Sequence, residues 1–594
     1  MCFRQLRIKG MADSRIIPTQ AETDLATFTI LSNGQAISGE IGIDSIYVIK
    51  SVNKIPSARI TIIDGSVPLE DFEVSSGELF IPGNELEIKA GYHSDETTIF
   101  KGIITKHAIQ SKKDKPSWLI VDLKDESVKM TIGRKNKFFE DVKDSEIIEE
   151  IIGNYGLTPE IEATDVTHKE MVQHHVTDWD FLVSRAEVNG KLVFVDDGKI
   201  TVKAPDLSAD PILELAYGQN VYDFEAGMDA RDQFTAVKSS SWDFANQEII
   251  EGEAEEPSFT EHGNFLSTDL ANVIGLQELS LQHSGKIADD ELKAWSDAKL
   301  MRSRLSKIKG KVKIQGFSDI KPGDVIELAG FGARFNGIAF VSAIAHRMSG
   351  DTPWFTDIEF GLDKDWFTDN YNDIVEKPAS GLVPAIHGLQ IGIVTNIHED
   401  PDGEERIRVK LPIIDNQNDG VWARLTTIDA ADSRGWVFRP EIGDEVIVGF
   451  LNGDPRDPII LGSLFSSAKP SPIQPEEENK IKGYVSRSEM KFTFDDDKVI
   501  VTTETPKGNK IVLSEDAGSI LIEDENGNKI EMSSDGIVME SAKDIKIKAS
   551  GDINIEGTNI NVKAQAQFKA EGSAGAEMST SGQAKVKGSI VMIN

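Results

Sequence analysis

The chain has 594 residues, with 63 Lys and Arg against 99 Asp and Glu, a formal charge of −36. A surplus of that size argues against nucleic acid or an anionic membrane surface as partner, because both would repel it. No run of 18 apolar residues is present, so no stable membrane insertion is expected, and the single cysteine, Cys2, leaves no disulfide framework or Cys-based metal site.

The length allows three or four domains. Residues 1–24 read as an N-terminal extension. Its Met1–Met11 stretch carries Arg4, Arg7 and Lys9 without an apolar segment, so it is no signal peptide, and Met11 offers a second start. From 25 to 380 short alternating strands dominate, at Ile43–Val48, Ser57–Ile63, Glu85–Ala90, Thr97–Ile104 and Trp118–Leu123, a density that predicts small barrels. A helix is predicted over Asp144–Tyr155, with Ile147, Ile148, Ile151 and Ile152 on one face and Asp144 as N-cap. A second helix runs from Asp178, again as N-cap, to Glu187 and ends at Gly190, with strands Leu192–Val195 and Lys199–Lys203 after it. His174-His175 precedes that helix, but no third ligand lies at a metal-binding spacing, and His107, His283, His346 and His398 are scattered singly.

Glu251–Leu281 reads as an acidic loop. Ala288–Lys307 is a long helix whose Asp-Asp-Glu start and Arg302, Arg304, Lys307 end suit the helix dipole, with Leu292, Trp295, Met301 and Leu305 as its apolar face. Strands resume at Lys311–Ile314, Asp324–Leu328, Gly337–Ala343 and Thr356–Phe360. Residues 387–466 hold strands at Gly388–Asn396, Arg406–Lys410, Val421–Leu425, Gly435–Arg439, Glu445–Phe450 and Pro458–Leu461, the count of a small closed barrel of the OB type. OB barrels can bind oligonucleotides, yet 14 Asp and Glu against 7 Lys and Arg is the wrong sign for a phosphate groove. A Pro-, Ser- and Glu-rich linker, 467–482, follows.

Residues 483–594 are a repeat array. Two apolar residues flanking one other recur as Ile511/Leu513, Ile520/Ile522, Ile530/Met532, Ile537/Met539, Ile545/Ile547, Ile553/Ile555 and Ile560/Val562, spaced 9, 10, 7, 8, 8 and 7 residues apart. Each is expected to be one short strand with a polar turn after it. One thin apolar stripe per chain cannot bury itself, so the economical arrangement is several identical chains wrapped round a shared axis, stripes inward, as a needle; a single-chain β-solenoid stalk or a disordered polar tail is the alternative.

Gly435-Trp436-Val-Phe-Arg-Pro440-Glu-Ile-Gly443-Asp444-Glu445-Val446, then Phe450, Asn452-Gly453-Asp454-Pro455 and Gly462, closely resembles the OB-domain motif of the VgrG family, the spike proteins of type VI secretion systems. Thr177-Asp178-Trp-Asp180-Phe181 with Arg185, Glu187 and Gly190 resembles that family's hub motif. The resemblance extends equally to contractile phage baseplates and extracellular contractile injection systems. It implies a mainly β protein with a few helices: a two-barrel hub, an OB barrel and a trimeric β-prism needle. The implied assembly is a homotrimer on an Hcp-like tail tube, among baseplate proteins, capped by a PAAR-repeat tip protein and carrying effector cargo. It would be made in the bacterial cytoplasm and leave the cell when the apparatus fires. The motif residues are then structural, and no catalytic residue, cofactor or metal is expected. The apolar ending Ile590, Val591, Met592, Ile593 and Asn594 is expected to dock the tip protein. The competing reading is a trimeric tailspike-like enzyme acting on surface polysaccharide. It would use paired carboxylates such as Asp289/Asp290 or Asp444/Glu445, which so acidic a chain makes uninformative.

Overall fold

A computed structural model describes residues 25–113, 115–350 and 352–593. The N-terminal extension, with Cys2 and Met11, and the terminal Asn594 lie outside the described residues. The chain divides into two compact units: residues up to His387 together with Asn452–Pro455, and Gly388–Leu451 together with everything from Arg456 on.

The first unit is built on a 13-stranded sheet. Its predicted strands form, Ser57–Ile63 with the expected bounds and the others longer, as Ile43–Ser51, Glu85–Tyr92, Asp95–Gln110 and Trp118–Lys124. Alternate residues such as Ile60, Ile62, Leu119, Val121 and Leu123 point into one apolar core. A second core gathers Leu213, Leu215, Val312, Ile314, Ile326, Val341 and Ile358. Strand Gly337–Ser349 joins the two regions, pairing antiparallel with Ile43–Ser51, Val325–Ala329 and Thr352–Phe360.

Two smaller layers pack beside this sheet. Helices Asp144–Gly153 and Asp178–Val188 share a core of Ile147, Ile148, Ile151, Ile152, Phe181, Leu182 and Ala186. Neither aspartate is its helix's N-cap. Lys143 precedes the first helix, and its amide is met by Glu146; Thr177 caps the second, its Oγ1 accepting from the Asp180 amide at 3.1 Å. Both aspartates sit one position inside, buried, because each receives cationic and amide donors from elsewhere in the unit. Glu251–Leu281 is not a loop. Glu248–Glu253 and Glu278–His283 flank Ala236–Asp243, and helix Ser267–Ile274 ends at Gly275 in the left-handed conformation. The acidic composition hid these elements because their polar faces are outward. Helix Asp289–Ser306 lies against that sheet at Gly252, where any Cβ would come within 2.8 Å of the Leu292 backbone. Leu292 and Leu305 are buried, while Trp295 and Met301 are only partly so.

In the second unit a closed five-stranded barrel forms from Gln390–Asn396, Ile407–Lys410, Val421–Leu425, Pro458–Ser463 and Glu445–Phe450, around Val394, Ile407, Val409, Ala423, Val446, Val448 and Ile460. The expected strand Gly435–Arg439 does not form. Ala430–Ala431 pairs only with Arg434–Gly435, and residues 436–440 leave the ladder. After the barrel comes a seven-stranded antiparallel meander in sequence order, from Ile481–Val485 to Gly536–Glu540. Four of the seven expected apolar pairs lie on its strands. Those at Ile545, Ile553 and Ile560 form no ladder within one chain; among the described residues no strand follows Glu540.

Candidate functional site

The residues of the meander select one face. Cross-strand partners are Tyr484 with Phe492, Phe494 with Val501, Val501 with Leu513, Leu513 with Ile520, Ile520 with Met532 and Met532 with Ile537. A second column runs Ile511, Ile522, Ile530, Met539. Directly opposed residues of a ladder share a face, so all of these project from the same side. The sheet edges carry ion pairs such as Lys510–Glu523 at 3.1 Å and Lys529–Glu540 at 3.4 Å. Nothing covers the apolar face: none of the described residues after Ile460 is buried. Ile545, Ile553 and Ile560 are exposed as well. An uninterrupted face of this kind marks an interaction surface.

The OB motif residues divide by environment. Val446 is fully buried, and Pro440 is buried with it. Gly443 has φ +88° and its amide donates to the Val394 carbonyl at 2.8 Å, while the Asp444 carboxylate accepts from the Glu441 amide at 2.9 Å. Asp444 therefore closes a turn and also meets Lys469 Nζ at 3.3 Å. Glu445 and Phe450 bound one barrel strand, and Gly462 lies on the next, opposite Ile447. Asn452–Pro455 groups with the first unit, where the Gly453 carbonyl accepts from the Ile386 amide at 2.9 Å and Asp454 is buried beside the half-exposed Pro455. Trp436 differs from all of these. It is 53% exposed, stacks with Phe438 at 5.6 Å between centroids, and Phe438 meets the Tyr484 ring at 4.9 Å.

The hub motif forms a polar network in the first unit. Asp178 accepts from Lys135 Nζ at 2.6 Å, Tyr155 at 2.7 Å and Gln173 at 2.8 Å. Burial pushes its pKa up, but these donors outweigh burial and hold it below the ordinary value. Asp180 accepts from Thr177 Oγ1 at 2.6 Å, and burial raises its pKa. Phe181 is in the core. Arg185 grips Asp144 with two donors at 2.7 and 2.9 Å and reaches Glu291 at 3.0 Å. Glu187 accepts from Asn53 at 2.8 Å, from the Phe367 amide at 2.7 Å and from Arg302. Arg304 and Lys307, read as helix-dipole partners, are buried and instead pair with Glu256 at 2.6 Å and with Glu261. Each motif carboxylate is thus occupied by donors. The sequence assigns Asp144, Glu291 and Arg302 only local roles, as N-cap and helix-dipole residues, because the partners they pair with lie 41, 106 and 115 residues away.

His107 does find a serine: its Nε2 is 2.7 Å from Ser75 Oγ and its Nδ1 is 2.9 Å from the Phe80 carbonyl. The Ser75 amide donates to Asp64 at 2.7 Å, which puts a carboxylate where acyl chemistry would need an oxyanion donor. At the chain's end Ile590, Val591, Met592 and Ile593 are exposed.

The described residues thus form a helix-braced β unit, a closed OB barrel and an uncovered apolar sheet. Three family models match in that order: the Alg8 N-terminal domain over residues 22–350, the type VI secretion system/phage-baseplate injector OB domain over 390–465, and the phage baseplate V C-terminal trimerisation domain over 499–566. The first covers more than half of the chain, which belongs to that Alg8 N-terminal domain family. The type VI secretion system spike protein VgrG1c of Pseudomonas aeruginosa PAO1 is 32% identical over 117 residues, 18% of this chain and 16% of that protein. VgrG3 of Vibrio cholerae is 28% identical over 151 residues, 23% of this chain and 13% of that protein. The chain spans less than a fifth of the length of these curated relatives. Among solved structures, a Neisseria meningitidis MC58 tail protein aligns with TM-score 0.43 and 14% identity over 58% of this chain and 99% of its own. An Escherichia coli component of the type VI secretion system aligns with TM-score 0.36 and 13% identity over 73% and 99%.

Proposed function

We propose that this protein is the homotrimeric hub and spike of a contractile injection apparatus. The observation that carries the reading is the apolar face from Tyr484 to Met539, which one chain leaves in water and which lies largely within the span matched by the trimerisation model. Three copies facing a common axis bury it. Residues 25–380 act as the hub on an Hcp-like tail tube within the baseplate, 387–466 as the OB collar, 467–482 as the linker and 483–594 as the needle. A PAAR-repeat protein caps the tip at Ile590–Asn594, and effectors ride on the assembly. The protein is made in the bacterial cytoplasm and is expelled when the apparatus fires. Its work is mechanical, without a catalytic step or cofactor.

Light scattering on the purified chain tests this: the expected mass is three times 65.2 kDa, and a folded monomer refutes the trimer. A glycan-hydrolysis screen of the same sample is expected to be blank. Activity lost on carboxylate substitution would establish the polysaccharide-cleaving alternative.

A further inference from the structure

The repeat that builds the needle is poor at fixing its own register. Gly508-Asn-Lys-Ile511 and Gly527-Asn-Lys-Ile530 open strands Lys510–Ser514 and Lys529–Ser533, which are two strands apart in the meander and so run in the same direction. Sliding one chain along another by two strands therefore places apolar pair on apolar pair and turn on turn. Strand registers with so little to distinguish them are prone to slip.

One feature breaks this degeneracy. Aromatic side chains sit at a single end of the sheet face, as Tyr484, Phe492 and Phe494, and residues 495–567 contain none. Tyr484 and Phe492 are directly opposed, and Phe492 and Phe494 touch edge to face at 4.9 Å. The row continues into the OB barrel through Phe438 and Trp436, on the segment that was expected to be a strand and is not. That segment is held out of the ladder by the Trp436 amide on the Asp429 carbonyl at 2.9 Å and Thr427 Oγ1 on the Trp436 carbonyl at 2.7 Å. All five rings are between 41% and 53% exposed, half-covered on the chain's own side and open on the other. They lie before residue 499, outside the span of the trimerisation model.

We propose that Trp436, Phe438, Tyr484, Phe492 and Phe494 form a collar against the same rings of two further copies, and that this collar sets the axial register of the needle. The proposal rests on the trimeric reading above. The occupant is a second copy because the ring row continues the face those copies share, and because in a slipped neighbour large rings would overpack the aliphatic pairs while the ring positions would face smaller side chains and leave voids.

The test uses the full chain with Cys2→Ser and one new cysteine, Ser534→Cys, in the two-residue turn between the last two strands. Spin labels there report distances between chains. One narrow distance is expected. Trp436→Ser with Phe438→Ser should add a second, longer population, from an axial offset of about 9.5 Å for two strands, or should dissociate the trimer while the hub's circular dichroism is kept. An unchanged narrow distance in the double variant overturns the collar alone; a monomeric parent overturns the trimeric reading and the collar with it. Should the double variant misfold, hydroxyl-radical footprinting of the unmodified protein decides. Trp436 and Phe438 should be protected at least fivefold relative to the exposed Phe465, and modification at rates equal to Phe465 refutes the collar.

Discussion

Replacing Arg302 with Leu is the most informative single change in the hub. Arg302 and Glu187 are each 4% exposed, too little for solvent to screen them. Arg302 donates to Glu187 and to the carbonyls of Asp363 and Asp365 at 3.0 and 2.7 Å. Without it Glu187 keeps only two neutral donors, Asn53 and the Phe367 amide. Removing one partner of a buried pair costs about 3–5 kcal/mol, because the other charge stays buried. That corresponds to a fall of roughly 5–15 °C in the hub's melting transition. The effect has a pH signature. Burial pushes the Glu187 carboxyl above its ordinary value even with Arg302 present. A carboxyl raised in the folded state favours folding most below its unfolded value of about 4.3, and that contribution is lost as pH rises through the folded value. Loss of Arg302 raises the folded value further, so the deficit is largest near pH 7.5 and narrows toward pH 5.5. Scanning calorimetry of the full chain at both values measures it. Adding Glu187→Gln should recover at least half of the loss at pH 7.5 and flatten the pH dependence. A deficit equal at both pH values, or a melt within 1 °C of the parent, would refute the reasoning.

Gly420→Ala should abolish the OB barrel, because its φ is +91° and an added Cβ would lie 1.8 Å from the Val409 carbonyl oxygen. A cost of about 3 kcal/mol or more is expected, read as lost amide protection in Val421–Leu425 by hydrogen exchange. Asp144→Asn should destabilise the hub by about 2–3 kcal/mol, since burial raises the Asp144 pKa but Arg185, His168 and Asn189 more than reverse it. With the folded value depressed, its stabilisation is present above about pH 4 and fades as pH falls through that lowered value; the gap between parent and variant in urea titrations should be constant from pH 8 to 5 and close below pH 4. A chain ending at Lys587 should stay trimeric but lose affinity for a PAAR-repeat protein at least tenfold by biolayer interferometry.

What the sequence showed well was whatever depended on local alternation. Ser57–Ile63, Lys199–Lys203, Val421–Leu425 and Glu445–Phe450 form with the expected bounds, because alternate residues turn toward a core, most fully in Ser57–Ile63 and Lys199–Lys203 and through Ala423 alone in Val421–Leu425. Where long-range donors decide the outcome, local rules failed. Asp144 and Asp178 have the chemistry of N-caps, yet Arg185 and Lys135 draw their carboxylates inward and leave capping to others. Gly435–Arg439 alternates like a strand, but its Trp436 and Phe438 find rings outside the barrel rather than a core within it. Helix Ser267–Ile274 was hidden among acidic residues, with only Ser267 and Ala271 buried.

The loss of strands after Glu540 has a physical cause in the residue between each apolar pair. In three of the four such strands that form, Val512, Leu521 and Val538 occupy that position, and Val512 opposes Leu521 across the ladder, while in Lys529–Ser533 it is Glu531, which lies between Leu521 and Val538. After Glu540 the same position holds Lys546, Asn554 and Asn561, so those segments are apolar on one side only. Ordering four backbone residues costs about 4–8 kcal/mol. Two isoleucines fully buried return about 3–6 kcal/mol, and on an open sheet they are at most half-buried. One chain cannot offset the cost, whereas three chains that bury each pair completely and supply the missing ladder partners can. On the proposed trimer, residues 483–594 have two regimes: a meander that one chain forms by Glu540, and a distal part whose order would come from assembly. Hydrogen exchange on the trimer should show protection continuing past Ile545, and protection ending at Glu540 in the assembled protein would contradict this account.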